Sequence, residues 1–354
     1  MVKRPNLLLR RAQFLVCYWE RTRLVFENYG TGIRISADPL TCQILHFFDR
    51  WRSVDALAAR LVQFTPSSVR AAVAALERHS FLVRSDRPVD AKAAALATWT
   101  SWNPAAGFFH FSTKDVAYVN QAAVSRFLQR QAKRWPMPRP IKRYRGARQT
   151  QLPPIKADGE FSQVLLARRT WRRFSRRRLS FPDLSTLLGL TWGVQGWLDA
   201  PGGRTPLKTS PSGGARHSIE VYVLALRVEG LPRGLYHYAA DRHRLELVRP
   251  GASARQVLKY LPTQPWFGSA AALMLMTAVF PRVQWKYQFP RAYRVVLTEA
   301  GHLCQTFCLA ATWLGLAPFC SLALADSRVE RDLGVDGVTE SVLYTAGVGT
   351  RPLP

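Results

Sequence analysis

Arg168-Arg169-Thr170-Trp171-Arg172-Arg173-Phe174 sets four guanidinium groups and one hydroxyl in a run that closes on an aromatic ring. A guanidinium presents a planar fork of donors matched to phosphate oxygens, and a threonine hydroxyl adds a short donor. The run reads either as a phosphate-binding cluster or as a solvated basic face. The preceding Phe161-Ser162-Gln163-Val164-Leu165-Leu166-Ala167 has helical spacing, which sets the arginines at the end of a helix or in the turn after it.

Further along, Pro211-Ser212-Gly213-Gly214-Ala215 is almost bare of side chains, so its backbone N–H groups can approach a flat anionic ligand. An ordinary glycine turn is the alternative. Ile219 to Leu226 alternates like a strand, which puts this loop at a strand mouth, and Leu231 to Leu247 reads as a hairpin. Arg291 to Leu316 contains no proline and repeats apolar residues at helical spacing, the pattern of a long buried helix. On it, Cys304 and Cys308 are one turn apart. Without a second cysteine pair they read as small core residues and not as metal ligands, and His302 reads as a satisfied core histidine.

In this order the segments resemble the flavin-dependent, nitroreductase-like azoline dehydrogenases of the SagB type, which form thiazoles and oxazoles. The arginine run resembles the family's Arg-Arg-Ser-x-Arg-x-Phe pattern, and Pro211–Ala215 its Pro-Ser-Ala-Gly-Ala loop. Lys286-Tyr287 with Arg291-Ala292-Tyr293-Arg294 and the helix from Glu299, then Gly315-Leu316 and Tyr344-Thr345-Ala346-Gly347-Val348-Gly349, complete the likeness over about residues 160 to 350. The resemblance implies an α+β, nitroreductase-like fold, FMN as cofactor and a homodimer, because that fold usually builds its flavin pocket from both subunits. It implies that Arg168, Arg169, Thr170 and Arg172 bind FMN, that Pro211, Ser212, Gly213 and Gly214 line the ring, and that Arg351 closes on the phosphate. Arg351 also reads as a frayed C-terminal arginine. Lys286 and Tyr287 match the family's proton-handling pair. A free lysine, with a pKa of about 10.4, is a poor base near neutrality, and burial beside other cations is expected to lower it. A surface pair ahead of a helix is the alternative, and the flanking Trp285, Gln288, Phe289 and Pro290 depart from common versions.

The N-terminal part reads as a separate module, residues 1–87. A hairpin is expected over Leu24–Tyr29 and Gly32–Ile35, then a helix opened by Asp38-Pro39, a helix from Val54 to Leu61, a third helix from a cap at Pro66-Ser67-Ser68 to Arg78, and a strand at Phe81–Arg84. That order resembles the small winged-helix, PqqD-like domains that recognise leader peptides. A bound leader would then add a strand to the hairpin near residues 24 to 35; a scaffold or dimer contact is the other reading. Residues 88–157 are expected as a connecting region, helical at Ala91–Ala97 and Val116–Ala132, and broken at Trp135-Pro136-Met137-Pro138-Arg139-Pro140. The flavin domain is expected over residues 158–354.

Composition sets outer limits. Fifty Lys and Arg against 23 Asp and Glu leave a net charge of +27, and 17 of the cations fall between Arg126 and Arg178. Such a surface attracts anions of any kind, but no zinc-finger spacing or RNA-recognition motif appears, which argues against nucleic acid. No apolar run is long enough to cross a bilayer and no signal peptide is evident, so a cytoplasmic protein is expected. Five cysteines without framework spacing fit reduced thiols.

The expectation is therefore an FMN-dependent oxidoreductase that oxidises azolines to azoles in a ribosomally made precursor peptide, with a cyclodehydratase or other maturation enzymes as partners. Two rivals stand beside it. One is reduction or desaturation of another peptide residue. The other is a non-catalytic flavin fold that presents a peptide to partner enzymes.

Overall fold

The structure is a computed structural model that describes residues 7–116, 121–135, 140–142, 150–200 and 203–352. It divides into two compact units, the first running to Lys114 and taking in Val283–Arg294, the second formed by Asp115–Arg282 and the chain from Val295 onward.

In the first unit the strands β1 (Leu9–Arg11), β2 (Leu15–Glu20), β3 (Arg23–Asn28) and β4 (Ile33–Ser36) precede three helices, α1 (Pro39–Phe47), α2 (Val54–Arg60) and α3 (Pro66–Arg78). Each helix starts on an oxygen that accepts an otherwise unpaired backbone N–H: Asp38 from Thr41, Ser53 from Ala56 and Thr65 from Ser68. The cap of α3 is Thr65, one residue ahead of the expected Pro66-Ser67-Ser68. The strand β5 (Leu82–Arg84) pairs back with β1, while β2, β3 and β4 form an antiparallel sheet. Ile44, Phe48, Leu57, Val69, Val73 and Phe81 form the core. The expected hairpin, three helices and closing strand are all present. The expected hairpin is β3–β4, and β2 adds a third strand on the other side of β3, so that β2 and β4 are the edges of the sheet.

The boundary expected after residue 87 falls inside this unit. Helices α4 (Ala91–Ala97) and α5 (Ala105–Ser112) continue it, and Trp99 and Trp102 are fully buried. His110 Nδ1 lies 2.8 Å from the Tyr293 hydroxyl, and Trp102 Nε1 donates to the Tyr287 carbonyl at 2.8 Å. Aromatic rings, present in the sequence at no regular spacing, hold the 283–294 segment here.

The second unit starts with α6 (Gln121–Arg134), α7 (Glu160–Ala167), α8 (Phe181–Trp192) and the small hairpin β6 (Gly196–Ala200) with β7 (Gly203–Leu207). The helix expected over 116–132 is found in part, as α6: Val116 is not helical, and the helix runs from Gln121 to Arg134; residues 117–120 of that expectation, and 136–139 of the proline-rich stretch, lie outside the described residues. Strands β8 (Ile219–Ala225), β9 (Gly234–Ala239) and β10 (Arg244–Pro250) follow, then α9 (Ala254–Tyr260), β11 (Ala272–Val279), α10 (Phe280–Gln284), α11 (Tyr293–Trp313), β12 (Leu316–Ser321), α12 (Asp326–Leu333) and β13 (Glu340–Thr350). They build an antiparallel six-stranded sheet in the order β10-β9-β8-β11-β13-β12. The expected hairpin is β9–β10, and the fold class is α+β as expected.

Glycines on β13 shape the far side of this sheet. A Cβ at Gly347 would enter the Phe319 ring, and one at Gly349 would stand 2.6 Å from Phe174 Cδ1. Two successive same-face positions of one strand thus seat two rings, and Phe319 stacks in turn on Phe267 with centroids 3.6 Å apart. Among the described residues no helix is long and apolar enough to cross a membrane.

Candidate functional site

The arginine run leaves α7 at Arg168, whose extended ψ of 124° ends the helix. It then runs along the edge of the sheet: Trp171 N donates to the Pro318 carbonyl at 3.0 Å and Ser175 N to Thr350 at 2.9 Å. Phe174, lodged on Gly349, anchors it. Arg169, Thr170 and Arg172 are exposed and Arg168 is half-buried. Among the described residues no carboxylate pairs with any of these three arginines; Arg169 donates only to the Leu166 and Arg168 carbonyls. Arg351 lies over the Trp171 ring, 5.4 Å from its centroid. Its guanidinium also donates to the Leu316 and Thr312 carbonyls at 3.0 and 3.2 Å, so it caps the end of α11 and is not frayed.

The glycine loop sits at the mouth of β8, as expected, and one face of α11 staples it down. Glu299, 3% exposed, accepts from the Ser212 hydroxyl at 2.7 Å, from Ser218 N and Oγ at 3.3 and 3.0 Å, and from Ile219 N at 3.2 Å. His302 Nδ1 lies 3.1 Å from the Pro211 carbonyl, and Thr306 Oγ1 lies 2.7 Å from Ser210 Oγ. Residues 299, 302 and 306 share a helix face. His302 is exposed, contrary to the expected core histidine, because it reaches the loop and not the interior. A Cβ at Gly213 would collide with Val295 Cγ1, and Gly214 takes a φ of +62°, so both positions require glycine. The bare loop leaves its backbone with little side-chain cover, and among the described residues no carboxylate neutralises Arg168, Arg169 or Arg172; by their chemistry these residues suit the ring and the phosphate of FMN.

Sequence reasoning passed over three features. Burial lowers the pKa of the half-buried Lys208, which stands near enough to Glu220 and Glu299 for their charges to oppose that shift. Glu220 is tied to Arg282 at 2.5 Å and to His237 Nε2 at 3.1 Å, and His237 is raised to about 9 by its hydrogen bond to Glu220, against burial and with help from Glu246. Third, Cys320 of β12 joins Cys304 and Cys308, all three sulfurs lying within 4.8 Å of one another. Hydrogen bonds from Cys304 and Cys308 hold the Cys320 thiol below the usual range, and its partners push Cys304 up.

Lys286 and Tyr287 fall in the first unit. Lys286 is solvent-exposed in the single chain, not buried as expected, and its Nζ stands 5.6 Å from the centroid of the Tyr287 ring.

The chain belongs to the nitroreductase family, whose sequence profile matches residues 165–350, just over half of its 354 residues. It is 35% identical to the trifolitoxin-processing protein TfxB of Rhizobium leguminosarum bv. trifolii over 144 residues, 38% of each chain; the match thus spans well under two thirds of that relative. Protein MJ1384 of Methanocaldococcus jannaschii is 29% identical over 185 residues, 52% of this chain and 89% of that one. The trifolitoxin operon protein TfxC of the same Rhizobium is 22% identical over 352 residues, 90% of this chain and 97% of that one.

Proposed function

We propose that this protein is an FMN-dependent oxidoreductase that matures a ribosomally made peptide, oxidising azolines to azoles. The observation that carries the cofactor is that the family match encloses both the carboxylate-free arginine run and the stapled Gly213-Gly214 loop. Support for the peptide is the likeness to TfxB, a protein named for trifolitoxin processing.

Arg168, Arg169, Thr170 and Arg172 would hold the phosphate end of the cofactor, and the Pro211–Gly214 backbone its ring. Arg351 would add charge at the phosphate while capping α11. When bound, FMN accepts the two electrons that leave the ring being aromatised. The chain's own part is to orient the peptide and to remove the proton that leaves with them. We assign that proton to Lys286, with Tyr287 orienting or sharing it.

The strand register favours a second copy. Trp171 lies at Pro318, and the chain of partners Pro318–Val348, Val348–Ala272 and Ala272–Ala225 leads to the end of β8 remote from the glycine loop. From Ala225 back to Ile219 is about 20 Å of strand at about 3.3 Å per residue. One chain keeps its phosphate donors and its ring loop apart, and a homodimer would set one subunit's run against its partner's loop.

The test is the visible spectrum of the purified protein and identification of the released cofactor, followed by turnover of an azoline peptide by Lys286→Ala. A yellow protein releasing FMN, with turnover lost in the flavin-loaded variant, is the expected result. A colourless chain that takes up no FMN overturns the cofactor assignment, and undiminished turnover overturns the role of Lys286.

A further inference from the structure

Three of the five cysteines converge from separate elements. Cys304 and Cys308 lie one turn apart on α11, both buried, and Cys320 reaches them from β12, where it is half-buried. Positions i and i+4 share a helix face, and the remaining sulfur comes from the strand that α11 leads into through Gly315. Cys320 pairs with Ala346 and so shares a sheet face with Tyr344. The Arg168 guanidinium is close enough to act on both Cys308 and Cys320.

The spacing suits a metal. Sulfurs bound at about 2.3 Å around a tetrahedral ion stand about 3.8 Å apart, and here all three lie within 4.8 Å of one another. A disulfide would use two of the sulfurs and leave the third without a role. Thiolate ligands select soft or borderline cations. Three thiolates around a divalent ion leave one negative charge, which Arg168 offsets.

We propose that Cys304, Cys308 and Cys320 bind one thiophilic divalent cation, Zn2+ by its coordination chemistry, with a fourth position left for water or for the Tyr344 hydroxyl. Cys320, the half-buried member, is the side from which the ion enters. Such a three-ligand site is of the kind that keeps an open position and is not closed by four protein ligands. The site does not depend on the flavin reading, although Arg168 serves both.

The reduced full-length protein, stripped with chelator, is titrated with Co2+ and then with Zn2+. One Co2+ per chain is expected, with the thiolate-to-cobalt absorption and the visible bands of a tetrahedral site, displaced by Zn2+. The Cys17→Ser/Cys42→Ser double variant should behave identically. Cys320→Ser and, independently, Cys308→Ala should weaken Zn2+ by more than about tenfold while circular dichroism and flavin content stay as in the wild type. Absence of Co2+ uptake by the reduced wild type overturns the proposal, as does uptake that survives both variants or disappears in the double variant. A chain that binds Co2+ but no FMN would sink the flavin reading and leave this site standing.

Discussion

Glu299 holds a loop 87 residues earlier in the chain, and it does so with the one carboxylate that α11 carries. Its four accepted hydrogen bonds leave Ser212, Ser218 and Ile219 dependent on one side chain. Glu299→Ala strands those buried donors, so it should cost about 2–3 kcal/mol of stability and lower the bound-flavin content. Urea unfolding followed by circular dichroism, with flavin quantified on the same preparation, reads both; full stability in the variant would contradict the clamp. His237 acts in the pH dimension. Its pKa rises from 6.5 to about 9 in the fold because it donates to Glu220 and Glu246. A raised pKa stabilises the protonated fold, so the contribution is complete below about pH 6.5 and fades as the pH climbs through about 9. Melting temperatures of the wild type and His237→Gln should therefore differ most near pH 6 and converge above pH 9. A gap that stays constant across that range would show that the ring acts by packing alone.

At the scale of elements, β13 explains why the arginine run lies where it does. Its two glycines open the space that Phe319 and Phe174 fill, and Phe174 ends the run. Gly347→Ala drives a methyl into the stacked Phe319 and Phe267 rings and should destabilise by about 1–3 kcal/mol, as overpacked cores do; Gly349→Ala should shift the Phe174 anchor and loosen flavin binding. Chemical denaturation measures the first and cofactor dissociation the second. Elements with local signals were legible in the sequence: Asp38-Pro39 ahead of α1, the alternation of β8, and the hairpin β9–β10. Strands β1 and β2 were not, because β1 finds its partner in β5, more than 70 residues on, and β2 is only partly covered on both faces. Helix α5 was missed because its His110 packs against Trp99 and Tyr293, contacts with no periodicity along the chain.

Across the whole molecule, the separation of Arg168–Arg172 from the Ser212–Gly214 loop within one sheet sets the assembly expected. Light scattering coupled to size exclusion should give twice the 40.0 kDa chain mass. Mixing a Gly213→Ala chain with an Arg169→Ala/Arg172→Ala chain should restore flavin binding in a fraction of hybrid dimers, each with one intact half-site. A monomer that holds FMN would rule out the shared site. Exposed Phe161, Leu165 and Leu166 on α7 and Trp313 on α11 supply apolar surface for such a contact.

By itself the sequence determined which residues carry chemistry and in what order. The arginine run, the glycine loop, the long helix and the closing Gly-Val-Gly are local patterns, and local patterns survive in one dimension. Only the tertiary structure decided what those residues touch. It put Glu299 and His302 on the loop, turned Arg351 onto the end of α11, left Lys286 exposed and joined Cys320 to a helical pair. Each of these rests on side chains meeting across a sheet or a helix face, and the distance between them is set by packing, which chain order does not record.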